Sequence, residues 1–389
     1  MIMTAKNHLH IIYGSFQHFL EKSVDWQIRQ RGDYTDVDRI FSVYAFSREG
    51  GEGRLNDRHL VYNAPIARHP IRFFASYFNF LRMVHRLVRR ENIAKIWVQC
   101  HIYFIPLFIF LRLFCRQCVV GVGLRGDLDL AYRLGGPCES ETLFGSRKLA
   151  WILEGVIYRW LCDYVFPRSE NLLLDLVARG IPEKKIVLQR FELPKEFNPA
   201  DFPPAEDVKK KFDADGRIIL FSFFGRMTRY NYVYDILDLF AKIRKRDNRA
   251  FLFMAGRGPE EEGLRRRLTE LGLDSCVNFP GFVPRAEVLA IRKASDFSLC
   301  LMGGNSLLEA AAMGSVVAAY DVDWHTELIT HMYNGIVVPE GRVDEMFEAI
   351  LQVRDNPSLR DVFTERTWEI IRRKYTQKPL SVFSRAENQ

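Results

Sequence analysis

The sequence has no apolar run long enough to cross a bilayer. In its 389 residues the longest such run, residues 102–114, is interrupted by Pro106 and Arg112 and is shorter than the ~20 residues that a membrane-spanning helix needs. Residues 1–16 do not have the pattern of a secretory signal peptide. These absences predict a cytoplasmic protein. We interpret residues 102–114 as a buried helix, with a membrane-dipping segment as the alternative.

The sequence also lacks the cysteine pattern of a disulfide-bonded protein. The seven cysteines are odd in number and scattered along a long chain, which is typical of reduced thiols rather than of a disulfide framework. Cys115 and Cys118 form a C-x-x-C pair, but no second pair follows at zinc-ribbon spacing. We therefore expect neither a metal nor a redox function at this pair.

No G-x-G-x-x-G fingerprint follows the first predicted strand of either half of the chain, which weighs against a nicotinamide-dependent dehydrogenase. The hydrophobic content of 48% and the charged content of 26% are those of an ordinary folded protein. The net charge of +7 favours anionic partners such as phosphorylated small molecules, nucleic acid or an anionic membrane face. It is equally compatible with a merely basic soluble protein.

The first half alternates short β-branched or aromatic runs with segments of helical periodicity. Strands are predicted at 8–15, 93–101, 118–127, 163–169 and 184–190. Helices are predicted at 70–92, 102–114, 148–162 and 170–180. This alternation is typical of a parallel, doubly wound α/β sheet.

A charged, proline-rich segment at 193–216 is the predicted linker, and the alternation restarts after it. Strands are then predicted at 217–225, 249–256, 276–282, 296–303 and 315–321. We place the two domains at 1–195 and 205–365, and expect a helix at 366–389 to pack back on the first. In such sheets ligands bind beyond the carboxyl ends of the strands. Two successive domains of this kind therefore predict a ligand cleft between them.

Three glycine-containing loops follow strands of the second half. Gly225 and Arg226 come directly after one strand, Gly256 opens a turn after the next, and the segment 303–314, GGNSLLEAAAMG, leads from a turn into a helix. Glycine allows a ligand to approach the backbone, arginine suits phosphate oxygens, and a helix N-terminus binds anions. Each loop alone is compatible with a plain turn. Three at one sheet edge favour a phosphorylated ligand.

The order of these motifs resembles the retaining glycosyltransferases of the GT-B fold, family 4. The likeness is strongest over residues 217–350, which include FFGRMT, AGRGPEEE and NSLLEAAAMG, and it extends upstream to FPRSENLLLDLVARG and LVRRENIAKIWVQCH. The resemblance implies two Rossmann-like doubly wound domains facing across a cleft. It also implies a nucleotide-diphosphate sugar as donor, transfer with retention of anomeric configuration, and no metal or other cofactor.

The resemblance also assigns roles to residues of the second domain. Arg226 would hold the diphosphate, and Glu309 would hold the donor ribose. Phe282 and Val283 would meet the base through backbone groups. The complete predicted donor site is Gly225, Arg226, Arg229, Asn231, Gly256, Phe282, Val283, Asn305, Ser306, Leu307 and Glu309. Alternatives for the two main residues are a surface salt bridge for Arg226 and a solvent-facing helix position for Glu309.

On the first domain the resemblance places the acceptor and three predicted catalytic residues, His101, Arg125 and Asp127. His101 follows a predicted strand and could instead bond only a backbone carbonyl. Arg125 and Asp127 could instead form a structural ion pair. Arg125 stands where the family has a histidine.

Two further departures concern the donor side. The family carries a first glutamate eight positions before the second, and Leu301 occupies that position here. The family's diphosphate lysine aligns near Asn231, with Arg229 as a candidate replacement charge. The sequence therefore leaves two functions open, an active transferase and a non-catalytic nucleotide-sugar-binding or scaffold relative. The segment 321–327, DVDWHTE, resembles a loop of the family more than a metal site.

The expected partners are a nucleotide sugar and a glycan or lipid-linked acceptor in cell-surface polysaccharide or glycolipid synthesis, with no nucleic acid. Residues 70–92 place phenylalanines beside several arginines. Such a helix can lie on anionic lipid, or its aromatic side chains can face the sheet. The first interpretation predicts peripheral contact with the inner face of the membrane.

Overall fold

The computed structural model describes residues 7–13, 36–47, 49–67, 69–99, 102–124, 147–193, 197–213, 215–376 and 381–387. The chain divides into two compact units. The first comprises Met1–Gly126, Cys138–Gln189 and Lys378–Gln389, and the second comprises Asp127–Pro137 and Arg190–Gln377. The change of unit at residue 190 lies near the predicted linker.

The first unit contains a seven-stranded sheet. Its strands are β1 (Asn7–Tyr13), β2 (Arg39–Ala45), β3 (Gly51–Asn56), β4 (His59–Ala64), β5 (Ile93–Gln99), β6 (Val119–Gly123) and β7 (Tyr164–Phe166). Their order is β3-β4-β2-β1-β5-β6-β7, and every pair is parallel except β3 with β4. The sequence predicted neither β2 nor the β3–β4 hairpin. It also predicted a strand at 184–190 that is wrong, because Ile186 forms only an isolated bridge with Val165.

Four α-helices within the described residues before the predicted linker accompany this sheet. They are α1 (Pro70–Arg90), α2 (Ile105–Phe114), α3 (Arg147–Val156), which continues as a π-helical turn over Ile157–Leu161, and α4 (Glu170–Ala178). Proline fits the first turn of α1 because its missing N–H would be unpaired there. Buried side chains recur at helical spacing along α1, at Tyr77, Phe80, Val84 and Leu87, and share one apolar core with α2, the π-helical turn and the sheet.

The second unit contains a fully parallel six-stranded sheet. Its strands are β8 (Ile219–Phe224), β9 (Ala250–Ala255), β10 (Val277–Gly281), β11 (Phe297–Leu299), β12 (Val316–Tyr320) and β13 (Ile336–Val338). The order β10-β9-β8-β11-β12-β13 reverses direction between β8 and β11. In doubly wound sheets that reversal is where ligands bind, beyond the carboxyl ends of the two strands.

Eight α-helices within the described residues belong to this second unit. They are α5 (Ala205–Lys209), α6 (Val233–Arg246), α7 (Glu261–Glu270), α8 (Arg285–Ala294), α9 (Asn305–Ala312), α10 (His325–Leu328), α11 (Val343–Asp355) and α12 (Ser358–Lys374). All but α5 and α12 follow a strand directly or after one loop, as the predicted alternation requires. The two α/β sheets agree with the predicted fold class.

The C-terminal segment differs from the single helix expected at 366–389. Helix α12 belongs to the second unit, and a short helix α13 (Val382–Glu387) belongs to the first. The hydroxyl groups of Ser381 and Ser384 both donate to the Asp36 carboxylate, at 2.5 and 2.6 Å. These bonds, with the Ser381 N–H, hold the pKa of Asp36 below its usual value despite partial burial.

The structure bears on two predictions from the sequence, one on membrane-spanning helices and one on the Cys115 and Cys118 pair. None of the described helices is both long enough and apolar enough to cross a membrane. Cys115 and Cys118 are buried free thiols. Burial raises the pKa of both, that of Cys118 to about 12, so neither is a reactive thiolate near neutral pH.

Candidate functional site

The carboxyl ends of β8, β9 and β10 are joined by direct backbone contacts. The Gly225 N–H donates to the Ala255 carbonyl at 3.2 Å, and the Gly256 N–H donates to the Gly281 carbonyl at 2.7 Å. Gly256 has φ +146°, and a Cβ there would lie 1.8 Å from the Gly225 oxygen. Only glycine fits this position, and the resulting low rim leaves the backbone open to a ligand.

Arg226 lies on this rim, immediately after β8. Its side chain is exposed, and within the described residues no hydrogen bond or ion pair holds it. The side-chain amide of Asn231 donates to the Arg226 carbonyl at 2.6 Å. Asn231, predicted from the resemblance to align near a lysine, therefore fixes the backbone of the loop and brings no charge to it.

Arg229 does not supply a free replacement charge. Its side chain is 75% exposed and lies 3.4 Å from the Glu260 carboxylate. Its guanidinium also lies 5.8 Å from the centre of the Tyr234 ring, and the Tyr234 hydroxyl donates to Glu260 at 2.8 Å. The local charge of Arg229 is thus shared with an acid, which leaves Arg226 as the unshared cation of the loop.

The turn after β11 is held by two aromatic side chains of the segment 321–327. The Gly303 N–H donates to Nε2 of His325 at 3.0 Å, and Nε1 of Trp324 donates to the Gly303 carbonyl at 3.1 Å. A Cβ at Gly303 would lie 2.8 Å from the Leu307 Cβ. Leu301, which the resemblance predicts to stand in place of a glutamate, is fully buried in the apolar core.

His325 acts in this turn as a neutral side chain. Burial lowers its pKa from 6.5 to about 4. The tautomer with a proton on Nδ1 donates to the Tyr320 carbonyl at 2.8 Å and leaves Nε2 to accept from Gly303. Nε2 also lies 3.1 Å from the Gly303 carbonyl, and it is burial that disfavours the charged ring. The histidine of DVDWHTE is therefore a fixed part of the turn.

This geometry predicts a pH dependence of stability. Because the folded pKa of about 4 lies below the unfolded value of 6.5, the unfolded chain binds more protons between these pH values. The stabilisation is complete above pH 6.5 and is lost as the pH falls toward 4, by about 3 kcal/mol. Denaturant unfolding at pH 7.5 and 4.5 measures this loss. We expect the free energy of unfolding of wild type to fall by about 3 kcal/mol more than that of H325Q between these pH values. An equal fall in the two proteins would contradict the assignment.

Helix α9 starts directly after this turn, and Ser306 in its first turn connects it to β8. The Ser306 hydroxyl donates to the Phe224 carbonyl at 2.8 Å, on the last residue of β8. It accepts in turn from Nη2 of Arg292 at 2.5 Å. Arg292 is buried in α8, and its guanidinium lies 5.0 Å from the centre of the Phe224 ring. This network brings the two sides of the sheet reversal together.

The start of α9 has the properties of an anion site. The first N–H groups of a helix have no partner within it, and here Asn305 and Ser306 are half-buried while the Leu307 side chain is fully buried. The Leu307 N–H bonds the Gly304 carbonyl at 3.2 Å. The backbone N–H groups of Asn305 and Ser306 are therefore available for the predicted contacts with a diphosphate. The Leu307 N–H is already bonded.

Glu309 lies one turn further along α9 and is 4% exposed. Its carboxylate accepts from Nη1 of Arg285 at 2.8 Å. The solvent-facing alternative for Glu309 is therefore wrong. Arg285 is seven residues before Arg292, so both arginines of α8 project toward α9 from one helical face.

Phe282 and Val283 follow the last residue of β10, and Arg285 begins the next helix. Phe282 is exposed and Val283 is half-buried. Gly281 has φ +82°, which turns the chain at the sheet edge. The predicted base-binding residues are thus adjacent in the chain to the arginine that holds Glu309.

The sequence missed Arg285, Arg292 and His325 as parts of this site. The seven-residue spacing of the two arginines was the available signal. The predicted residues His101, Arg125 and Asp127 lie outside the residues that the structure describes. Across the described ranges, no three or more histidine, cysteine, aspartate or glutamate side chains are grouped so that they could hold a metal ion.

Comparison with known proteins finds a family match that lies in the second unit. Residues 204–369 match the family model described as glycosyl transferases group 1. An uncharacterized glycosyltransferase of Methanocaldococcus jannaschii is 27% identical over 179 residues, 44% of this chain and 45% of that protein. The alpha-D-kanosaminyltransferase of Streptomyces kanamyceticus is 23% identical over 201 residues, 50% and 52% of the two chains. The chain thus spans about half the length of the curated relatives that it matches.

Solved structures are similar over nearly the whole chain. Sucrose-phosphate synthase from Thermosynechococcus elongatus has a TM-score of 0.74 at 14% identity and covers 95% of both chains. Anabaena HepE in complex with UDP-glucose has a TM-score of 0.72 at 14% identity and covers 98% of both. These similarities confirm the predicted α/β fold class with two parallel-sheet domains, and the neighbours are GT-B glycosyltransferases.

Proposed function

We propose that this protein is a glycosyltransferase that moves a sugar from a nucleotide-diphosphate sugar to a glycan or lipid-linked acceptor, with retention of anomeric configuration. The observation that carries the proposal is the linked edge of the second sheet. Ser306, at the start of α9, bonds the last carbonyl of β8, and Glu309 lies one turn beyond. This arrangement lies within the residues that match glycosyl transferases group 1.

In this proposal the donor diphosphate lies between Arg226 and the first N–H groups of α9. The start of α9 is fixed before the donor binds, and the Asn231 bond fixes the loop backbone from which the Arg226 side chain projects. Fixed donors and dipoles stabilise the negative charge that develops on the leaving phosphate. No metal or other cofactor is required in this proposal.

The proposed ribose ligand is the carboxylate of Glu309. A buried carboxylate needs compensation, and Arg285 provides it at 2.8 Å. Arg285 also restricts the carboxylate to one orientation, so that an oxygen can accept hydrogen bonds from a diol at little further cost in side-chain entropy. Arg285 is in this sense a positioning residue for nucleotide binding.

The donor base and the acceptor class are proposed from relatives. Structures of Anabaena HepE contain UDP or UDP-glucose, and a relative in Rhizobium meliloti is a lipopolysaccharide core biosynthesis glycosyltransferase, 25% identical over 138 residues. We therefore propose a uridine diphosphate sugar as the first donor to test and a cell-surface glycan or glycolipid as the product. The proposed location is the cytoplasm, at the inner face of the membrane.

A non-catalytic nucleotide-sugar-binding or scaffold function remains the second candidate. The specific observation for it is that Leu301 is fully buried in the core, so that position cannot handle donor-sugar hydroxyls as a glutamate does in the family. The Asn231 position, likewise, brings no charge. Both candidates share nucleotide binding and differ in turnover.

Titration with nucleoside diphosphates and their sugars, followed by assays of donor hydrolysis and transfer, separates these candidates. We expect saturable binding of a nucleoside diphosphate. We also expect slow hydrolysis of the matching nucleotide sugar, which liberates that nucleoside diphosphate. Binding without hydrolysis or transfer to any tested acceptor would favour the scaffold function. Failure to bind every nucleotide tested would contradict both.

A further inference from the structure

The first unit exposes apolar side chains on three neighbouring helical segments. On α1, Phe74 is 76% exposed and Phe78 is also exposed. On α2 and on α3 with its π-helical turn the exposed apolar side chains are Ile109, Leu113, Phe114, Ile152, Val156 and Trp160. We name the outward surface of the described side chains of these three segments, residues 72–90, 105–114 and 152–161, the helical face.

Direct contacts show that the three segments are neighbours. The rings of His85 on α1 and Phe110 on α2 lie 5.9 Å apart in an edge-to-face arrangement. Arg112 of α2 donates to the Leu161 carbonyl at the end of the π-helical turn, at 3.2 Å, and pairs with Asp163 at 2.7 Å. Because all three segments share one apolar core beneath them, their outward side chains lie on the same side of the unit.

The predicted amphipathic helix at 70–92 is thus resolved residue by residue. Phe80 is buried and Phe73 packs against the core, as the sheet-facing alternative requires. Phe74 and Phe78 point outward, and the guanidinium of Arg82 lies 5.8 Å from the centre of the Phe78 ring. Exposed aromatic side chains beside arginine are typical of the lipid–water interface.

The charge of the helical face has one sign. Among the described side chains its exposed basic residues are Arg72, Arg82, Arg86, Arg89, Arg90 and Arg159. Glu154 is the one acidic residue of the three segments, and it is buried, 3.8 Å from Arg179. Within the described part of these segments the outward surface therefore offers cations and apolar groups but no exposed carboxylate.

We propose that the helical face docks this protein on the surface of an anionic lipid bilayer. Arginines attract the negatively charged headgroups, and the exposed apolar side chains enter the boundary between headgroups and acyl chains. The arginines could bind the phosphates of a nucleic acid equally well. Exposed aliphatic side chains such as Ile109, Leu113 and Val156 favour contact with acyl chains instead. This inference concerns a surface outside the proposed donor site and does not depend on that site.

Sedimentation with vesicles tests the proposal. The full chain is mixed with phosphatidylcholine vesicles, with or without phosphatidylglycerol, over a range of salt concentrations. We expect binding only to the vesicles that contain phosphatidylglycerol, and weaker binding as salt screens the charges. Each arginine near the surface contributes about fivefold to partition, so R82Q/R86Q is expected to reduce it by more than tenfold.

Two further variants separate insertion from charge. L113Q/F114Q/W160Q keeps every charge of the helical face and is expected to reduce vesicle binding at least about tenfold. K245Q/R246Q removes the same charge as R82Q/R86Q from exposed positions on α6 of the second unit and is expected to bind as wild type does. The helix content of every variant is measured by circular dichroism, and vesicle binding is compared only between proteins of equal helix content.

Three results would overturn the proposal. The first is equal binding to neutral and anionic vesicles. The second is an equal loss in K245Q/R246Q and R82Q/R86Q, which would indicate net charge alone. The third is binding to a DNA or RNA duplex with no binding to anionic vesicles, which would assign the face to nucleic acid.

Discussion

Replacing Arg226 by alanine is expected to lower kcat/KM for the nucleotide-sugar donor by about a hundredfold or more. Arg226 is the cation of the β8 loop whose charge no described carboxylate shares, whereas Arg229 lies 3.4 Å from Glu260. Removing one group that stabilises a developing negative charge typically has an effect of this size. Initial rates of donor hydrolysis or transfer at low donor concentration measure it directly.

Arg229→Ala is the matched control. It removes the same charge three residues away, and we expect a change of less than about threefold, because an exposed ion pair contributes little. Arg226→Lys is expected to retain part of the activity, since it keeps the charge but loses the planar fork of donors. If R229A lowered kcat/KM as much as R226A, the diphosphate would be held by Arg229 and our assignment would be wrong.

Replacing Glu309 by glutamine is expected to affect stability and ligand binding together. Arg285 and Glu309 are both largely buried and 2.8 Å apart. Removing one charge of such a pair leaves the other without full compensation, which typically lowers the free energy of unfolding by about 3 kcal/mol or more. E309Q is therefore expected to unfold at lower denaturant concentration than wild type and to bind nucleoside diphosphate weakly.

The double variant R285L/E309L separates the two effects. Replacing a buried ion pair by apolar side chains of similar volume is often close to neutral for stability. We expect unfolding near that of wild type, while nucleotide binding measured by calorimetry stays lost. Nucleotide binding by a stable R285L/E309L at wild-type affinity would show that Glu309 holds no part of the donor.

Local patterns in the sequence were sufficient for most of the second unit. Strands β8, β9, β11 and β12 were each predicted because a short apolar run is followed by a glycine or an acidic turn. In the first unit, β2 was missed and the strand at 184–190 was wrong. Strand existence there depends on pairing partners far along the chain, such as Ile40 with His59, and periodicity carries no information on them.

The donor-site residues show the same division. Gly256 could be predicted because a glycine after a strand has a local reason, and the structure supplies the sharper one, a close approach to the Gly225 carbonyl. The role of Leu301 as a core residue and that of His325 as a neutral part of the turn could not be predicted. Each depends on burial, which is a property of the assembled unit. His101, Arg125 and Asp127 stay predictions.

The sequence by itself determined the order of strands β8 to β12 and the helices between them, the glycine turns at the sheet edge and the position of Glu309, because each is set within one or two turns of chain. Only the tertiary structure decided that Arg285, 24 residues before Glu309, is its partner at 2.8 Å. It likewise decided that Ser306 joins α9 to β8. Helix packing on a sheet creates such contacts, and the energy of a buried charge depends on the partner that packing provides.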